Sequence, residues 1–280
     1  MTVTLGEGNT PLLRAERLSS RYGVELWLKW EGANPTGSFK DRGMSVAATR
    51  AVEAGAHTLV CASTGNTAAS CAAYAARAGL RAVIVVAAGA AAGPKLQQVR
   101  AVGGEIVEID GTFTDAFAHA EELGARPGCV LVNSTNPHRI EGQQTAAREI
   151  VEQLGAAPDV LTLPYGGGGN TRAYALGFGQ PLPRLHPVQA ADRSRTVASA
   201  IRIVAPVHRD EVEELVARSG GSVLTVDDDA MLAARDLLGR DEGLYCEPAS
   251  AAGIAALDRS ARPGERVVCV LTGHGLKDAA

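Results

Sequence analysis

Apolar positions along this chain fall into two alternating rhythms. Short apolar runs read as strands at 57–62, 81–86, 105–109, 129–132, 160–163 and 266–271. The run at 81–86 is continuous, as in a sheet covered on both faces. Between these runs, the spacing predicts helices at 66–78, 94–102, 115–123 and 141–154, the second with proline at its first position. Residues 26–31 alternate like a strand with one buried face, and a helix from the following turn reaches to about residue 53. Past the glycines at 166–169 the rhythm loosens into strands at 185–190 and 223–226 and helices at 210–218, 227–238 and 248–257. Strands alternating with helices mean βαβ units and mostly parallel sheets, an α/β fold. No fixed-period repeat occurs, and the Ala/Gly run at 87–93 reads as a mobile loop.

In open parallel sheets, ligands sit beyond the carboxyl ends of the strands, so the loops there carry the chemistry. The first follows the strand at 26–31. Asn34-Pro35 and Thr36-Gly37 are turn-forming pairs, and Ser38 is placed to cap the helix that follows. Lys40 then falls in the first helical turn, where the dipole disfavours an ammonium; burial would do the same. A lysine held neutral is a nucleophilic amine suited to an aldehyde. Taken singly, it is an ordinary surface lysine, and the other loops have to argue otherwise.

The second loop, Cys61 to Ser70, joins a strand to a helix and carries Ser63, Thr64, Gly65, Asn66 and Thr67. Hydroxyls beside free N–H groups at a helix start make a carboxylate site; a plainly capped helix is an even alternative. The third runs from Tyr165 through Gly166, Gly167, Gly168 and Gly169 to Asn170, with a helix expected from Thr171. Successive glycine N–H groups opening a helix suit a phosphate. It is not a P-loop, since no Gly-Lys-Ser/Thr closes it, and the dinucleotide spacing is absent. Thr272, at the end of the last strand, could bond a heterocycle nitrogen or simply cap a turn.

Composition narrows the field. The 280 residues suffice for two lobes, and with only 4% aromatics the core must be built of Ala, Val and Leu. Net charge is −4 with no basic patch, which argues against a nucleic-acid partner. The five cysteines include no CxxC pair and read as reduced core residues of a cytoplasmic protein, with no metal framework. There is no secretory signal and no apolar run of about 18 residues, so no membrane span is expected.

Six segments occur in order: EGNTPL at 7–12, NPTGSFKDRGM at 34–44, STGNTAAS at 63–70, NSTNPHRIEGQ at 133–143, EPASAA at 247–252 and TGHGLKD at 272–278. Together they resemble threonine synthases, pyridoxal-phosphate enzymes of fold type II with the tryptophan-synthase-β-like architecture. The resemblance covers almost the whole chain. It implies two open α/β lobes with the cofactor in the cleft, a large lobe of 1–43 and 149–280 and a small one of 44–148. By position, Lys40 would be the Schiff-base lysine. Asn66 would meet the ring hydroxyl, Gly166 to Asn170 the cofactor phosphate, and Thr272 the pyridine nitrogen. Ser63, Thr64 and Thr67 would hold the substrate carboxylate, and Ser134 and Arg139 the substrate's own phosphate. The implied reaction turns O-phosphohomoserine and water into threonine and phosphate, in a homodimer.

Two departures bear on substrate. Relatives read GNAGN where this chain has GGGGN, so Gly167 replaces an asparagine that helps hold the substrate phosphate. The chain is also shorter than typical relatives, with a clipped N-terminus and an abbreviated segment at 179–196. Both leave room for a lyase or β/γ-replacement enzyme acting on another activated amino acid.

Overall fold

The computed structural model describes residues 2–278. Its strands form two sheets. The first has six strands in the order β1 (Leu12–Arg14), β2 (Glu25–Trp30), β10 (Arg266–Leu271), β7 (Val160–Pro164), β8 (Arg184–Ala190), β9 (Leu224–Val226). The second has four in the order β5 (Glu105–Ile109), β4 (Arg81–Ala87), β3 (Thr58–Ala62), β6 (Cys129–Leu131). Every pairing is parallel except β1 with β2. β3 and β7 are buried throughout, as are the five middle residues of β4. Helices on both faces explain why these strands read as unbroken apolar runs.

The helices are α1 (Glu16–Tyr22), α2 (Lys40–Glu53), α3 (Asn66–Ala78), α4 (Pro94–Ala101), α5 (Phe113–Gly124), α6 (Pro137–Gln143), α7 (Thr145–Leu154), α8 (Gly169–Phe178), α9 (Arg209–Ser219) and α10 (Asp228–Glu242). Ala68, Cys71, Ala72 and Ala75 of α3 pack on Leu59 and Ile84 in one core, and small side chains allow that close approach. Leu59, Ile84 and Leu96 are fully buried there, where truncation of such a side chain to alanine costs about 2–5 kcal/mol.

Several elements differ from the sequence expectation. The helix expected over 141–154 is two helices, α6 and α7, meeting at Gln144. α6 begins earlier because Asn136 caps it, its side chain accepting from the His138 N–H, with Pro137 at the first position. The helix expected over 248–257 breaks into a 3-10 turn at Pro248–Ala251 and short turns at Ala252–Ala255 and Leu257–Ser260. β1 and α1 carry too few apolar positions for periodicity to reveal them.

Helices α2 and α6 cross at two glycines. A Cβ on Gly43 would lie 2.5 Å from the Arg139 carbonyl oxygen, and one on Gly142 would overlap the Arg42 carbonyl. This contact seats Arg139 beside Lys40's helix. Parallel pairing does the rest: Leu271 sits opposite Trp30, and Cys269 opposite both Leu28 and Thr162. The carboxyl ends of β2, β10 and β7 therefore open on one side of the sheet, and the lysine turn, Thr272 and the glycine loop emerge there.

Candidate active site

Lys40 is the first residue of α2, as the turn signals predict. Its cap is not Ser38. Phe39 occupies that position with helical dihedrals (φ −56°, ψ −15°), and no side chain caps the helix. Ser38 is held instead in a bridge to Gly273, while Phe39 N donates to the Thr272 carbonyl at 3.0 Å. The turn is closed by Asp41, whose carboxylate accepts from Thr36 N at 2.7 Å and Thr36 Oγ1 at 2.6 Å, and from Ser70 at 2.7 Å. So the lysine turn is tied to the last strand on one side and to α3 on the other. Burial, then the nearby Arg139 guanidinium, lowers the Lys40 ammonium to about 7, against a weaker pull upward from Cys61 and Glu247.

Arg139 is 1% exposed. Its Nη1 donates to the Val132 carbonyl at 2.8 Å, while Nε and Nη2, which form one edge of the guanidinium, have no partner. Burial lowers its pKa, yet an arginine stays charged in such a setting. Ser134 lies in the turn before α6, half-buried, and its carbonyl is 3.3 Å from His208 Nε2.

Asn66 opens α3. Its Nδ2 donates to both oxygens of Glu247, at 3.1 and 2.9 Å, and its Oδ1 is buried without a partner. Glu247 is fully buried; burial raises its pKa, and Lys95, with Nζ at 2.8 Å, partly offsets that. Ser63 Oγ accepts from Gly65 N at 3.0 Å, Thr64 is exposed and Thr67 half-buried. Thr64 thus stands just before α3 and Thr67 in its first turn.

The glycine loop follows β7. Gly168 has a φ of 92°, open to glycine at little cost, and α8 begins at Gly169, two residues before the expected Thr171. Arg193 stacks on Tyr165 at 4.6 Å and donates to the Gly166 carbonyl at 3.2 Å, and His208 N donates to the Gly167 carbonyl at 3.0 Å. These bonds are accepted by the loop's carbonyls and do not use its N–H groups. Asn170 is buried with both ends of its amide unpartnered. Thr272 is buried, with Oγ1 3.1 Å from Ser250 Oγ, a neighbour that sequence reasoning missed.

Glu247, Lys95 and Lys277 were also missed as site residues, though two of them stand in the recognised segments. Lys277 is buried and donates to the Thr36 carbonyl and to Gln98; burial holds it down to about 8.

A fully paired interior leaves few such atoms unsatisfied. Among the described residues, Asn66 Oδ1, Asn170 Oδ1 and Nδ2, Arg139 Nε and Nη2 and Ser38 Oγ are such orphans, on or beside the segments singled out with Lys40; Thr162 Oγ1 on β7 and Thr171 Oγ1 and Tyr174 OH on α8 are the others. A phosphate-bearing ring aldehyde fits that set: an amine, a helix-opening glycine cradle, and amide and hydroxyl groups for the ring.

The fold and this cleft define a pyridoxal-phosphate enzyme of fold type II. The family model described as pyridoxal-phosphate dependent enzyme matches residues 3–273. The chain is 46% identical over 299 residues to the threonine synthase of Halalkalibacterium halodurans, covering 99% of this chain and 84% of that protein. It is 46% identical over 300 residues to the threonine synthase of Synechocystis sp., covering 99% and 78%. Among solved structures, maize serine racemase superposes with a TM-score of 0.85 at 24% identity, covering 98% of this chain and 89% of that one, a likeness of fold. The chain belongs to the pyridoxal-phosphate dependent enzyme family, in its threonine synthase group, and its cofactor is pyridoxal phosphate.

Proposed function

We propose that this protein is a lyase that converts O-phospho-L-homoserine and water to L-threonine and phosphate. The observation that carries the reading is the free edge of Arg139, buried within the field of Lys40. A planar guanidinium edge matches two phosphate oxygens, and burial strengthens the pairing.

Bound pyridoxal phosphate supplies an aldehyde that an amine can capture and a conjugated ring that takes up an electron pair. Lys40 contributes the amine, part of which is neutral at pH 7, and it can afterwards take and return protons at the substrate carbons. The N–H groups of Gly166 to Asn170, at the start of α8, would hold the cofactor phosphate, and Asn66 and Thr272 would face its ring. Ser63, Thr64 and Thr67 would orient the substrate carboxylate at the start of α3. Ser134 and Arg139 would hold the phosphate until it leaves. Held in this way, the reacting carbons stay over Lys40, which is the larger part of what a protein adds to such chemistry.

One observation favours a second reading. A Cβ at Gly167 would meet only Ile203 Cδ1, at 3.7 Å, so the loop has room where relatives carry an asparagine. That room suits a β- or γ-replacement on another activated amino acid. A panel of O-phosphorylated, O-acetylated and unmodified hydroxy amino acids separates the two: phosphohomoserine as best substrate supports the first, any other the second.

The two sheets support dividing the chain into a large lobe of 1–43 with 149–280 and a small lobe of 44–148. The fold class supports a homodimer, and the biosynthetic role a cytoplasmic one. Among the described residues, no helix is long and apolar enough to cross a membrane.

A further inference from the structure

Glu247 belongs to no step above, yet it is a fully buried carboxylate in the cleft wall. It lies between α10 and β10 of the six-stranded sheet, while its two partners are on helices that flank the four-stranded one: Asn66 on α3 and Lys95 on α4. Lys95 Nζ lies 2.8 Å from Glu247 Oε1 and is itself held by Asp278 at 2.6 Å and Ser199 at 3.1 Å. Lys95 Nζ and Asn66 Nδ2 are both donors, so the Glu247 carboxylate, through the oxygens they reach, acts as an acceptor toward them. Both of its oxygens are within reach of Asn66 Nδ2, so the amide is turned with its N–H end to Glu247. The carbonyl end, buried and without a protein partner, is left for the cleft.

We propose that Glu247, fixed by Lys95, is a positioning residue: it sets which end of the Asn66 amide meets the cofactor ring, and thereby the ionisation of the ring hydroxyl. An Oδ1 facing the ring can only accept, so it favours the hydroxyl that keeps its proton. An Nδ2 facing the ring would favour the ionised oxygen. The inference rests on Asn66 lying at the ring hydroxyl, as read above.

The test is the absorption spectrum of the resting, cofactor-loaded protein at one fixed pH, where protonated and ionised hydroxyl forms give separate bands. Glu247→Gln can both donate and accept, and it frees the amide to turn. The ionised band should gain roughly three- to tenfold relative to the other, the worth of one hydrogen bond. Lys95→Met, which loosens the same carboxylate, should move the ratio in the same direction, and it serves alone if Glu247→Gln does not bind cofactor. In an Asn66→Ala background, Glu247→Gln should have no effect. An equal shift with and without Asn66 would make Glu247 a distant charge and overturn the proposal, as would an unchanged ratio in Glu247→Gln and Lys95→Met. If Asn66→Ala alone leaves the ratio unmoved, the placement of Asn66 itself fails, and that outcome is distinct from the other two.

Discussion

Two buried arginines sit on neighbouring helices and meet opposite surroundings. Arg42 on α2 is 3% exposed and Arg139 on α6 is 1% exposed. Arg42 spends all its donors on protein: Nε reaches Glu31 at 2.7 Å, Nη2 reaches Glu31 at 2.8 Å and Thr10 at 3.0 Å, and Nη1 reaches Thr145 at 2.9 Å. Both of its terminal nitrogens also pair with Glu149, which Lys29 holds from the other side at 2.8 Å. Arg139 has one protein acceptor and two orphaned nitrogens. A closed network of this sort has no donor to spare; a buried cation with a free edge has donors left over for a ligand. The difference separates scaffold from site without reference to any relative.

The largest effect that would sharpen this contrast is at the lysine. Lys40→Ala should abolish turnover and the absorption band of the linked cofactor, and a variant with an equally strong band would remove Lys40 from its role. Arg42→Met should strand Glu31 and Glu149 in the interior and cost about 3–5 kcal/mol, read by denaturant unfolding. Arg139→Met should leave the unfolding of cofactor-free protein unchanged or raise it, because it strands no carboxylate. It should slow turnover of the phosphorylated substrate roughly 10²–10³-fold. Loss of stability on the scale of Arg42→Met would break the comparison.

Acidity offers a milder probe. Burial alone would raise Glu149; Arg42 and Lys29 outweigh it and hold it at about 2, against 4.5 when unfolded. Its contribution is therefore present in full above pH 4.5 and should fade as the pH falls toward 2. Lys40 has a slope of the same sign, in an alkaline window. Its ammonium, at about 7 when folded and 10.5 when unfolded, costs stability below pH 7, and the cost lifts as the pH rises through that window. Cofactor-free Lys40→Met should lose that alkaline rise and keep the acid one, as followed by melting temperature. The smallest effect is expected at Gly167. A Cβ there meets only Ile203 Cδ1, at 3.7 Å, and Gly167→Asn should raise kcat/KM for phosphohomoserine a few-fold, by about one hydrogen bond; no change would mean the missing donor is immaterial.

How much of this was legible before the structure follows from the range of the forces involved. The parallel sheets were readable because β3, β4 and β7 are buried nearly end to end and so are apolar nearly end to end. Lys40, Asn66 and the glycine loop announce themselves by local turn and helix-start chemistry. Ser38 misled because a serine before a helix is usually its cap, and here Gly273, in the turn after the last strand, bridges to that residue instead. Glu247 stood in a recognised segment without a role, since its partner Asn66 is 181 positions away and no local pattern links the two. The Glu31–Arg42–Glu149–Lys29 network was equally silent, as its members come from β2, the 3-10 turn after it, α2 and α7, and Glu149 is 107 positions from Arg42.

The most direct measurement is product analysis. Purified protein loaded with pyridoxal phosphate is given O-phospho-L-homoserine, and free phosphate and the amino-acid product are followed together. Phosphate and threonine should appear in equal amounts and should vanish together in Arg139→Met at limiting substrate. Cofactor-loaded protein that releases neither would contradict the assignment of Arg139's free edge to the substrate phosphate and move the search to other activated amino acids.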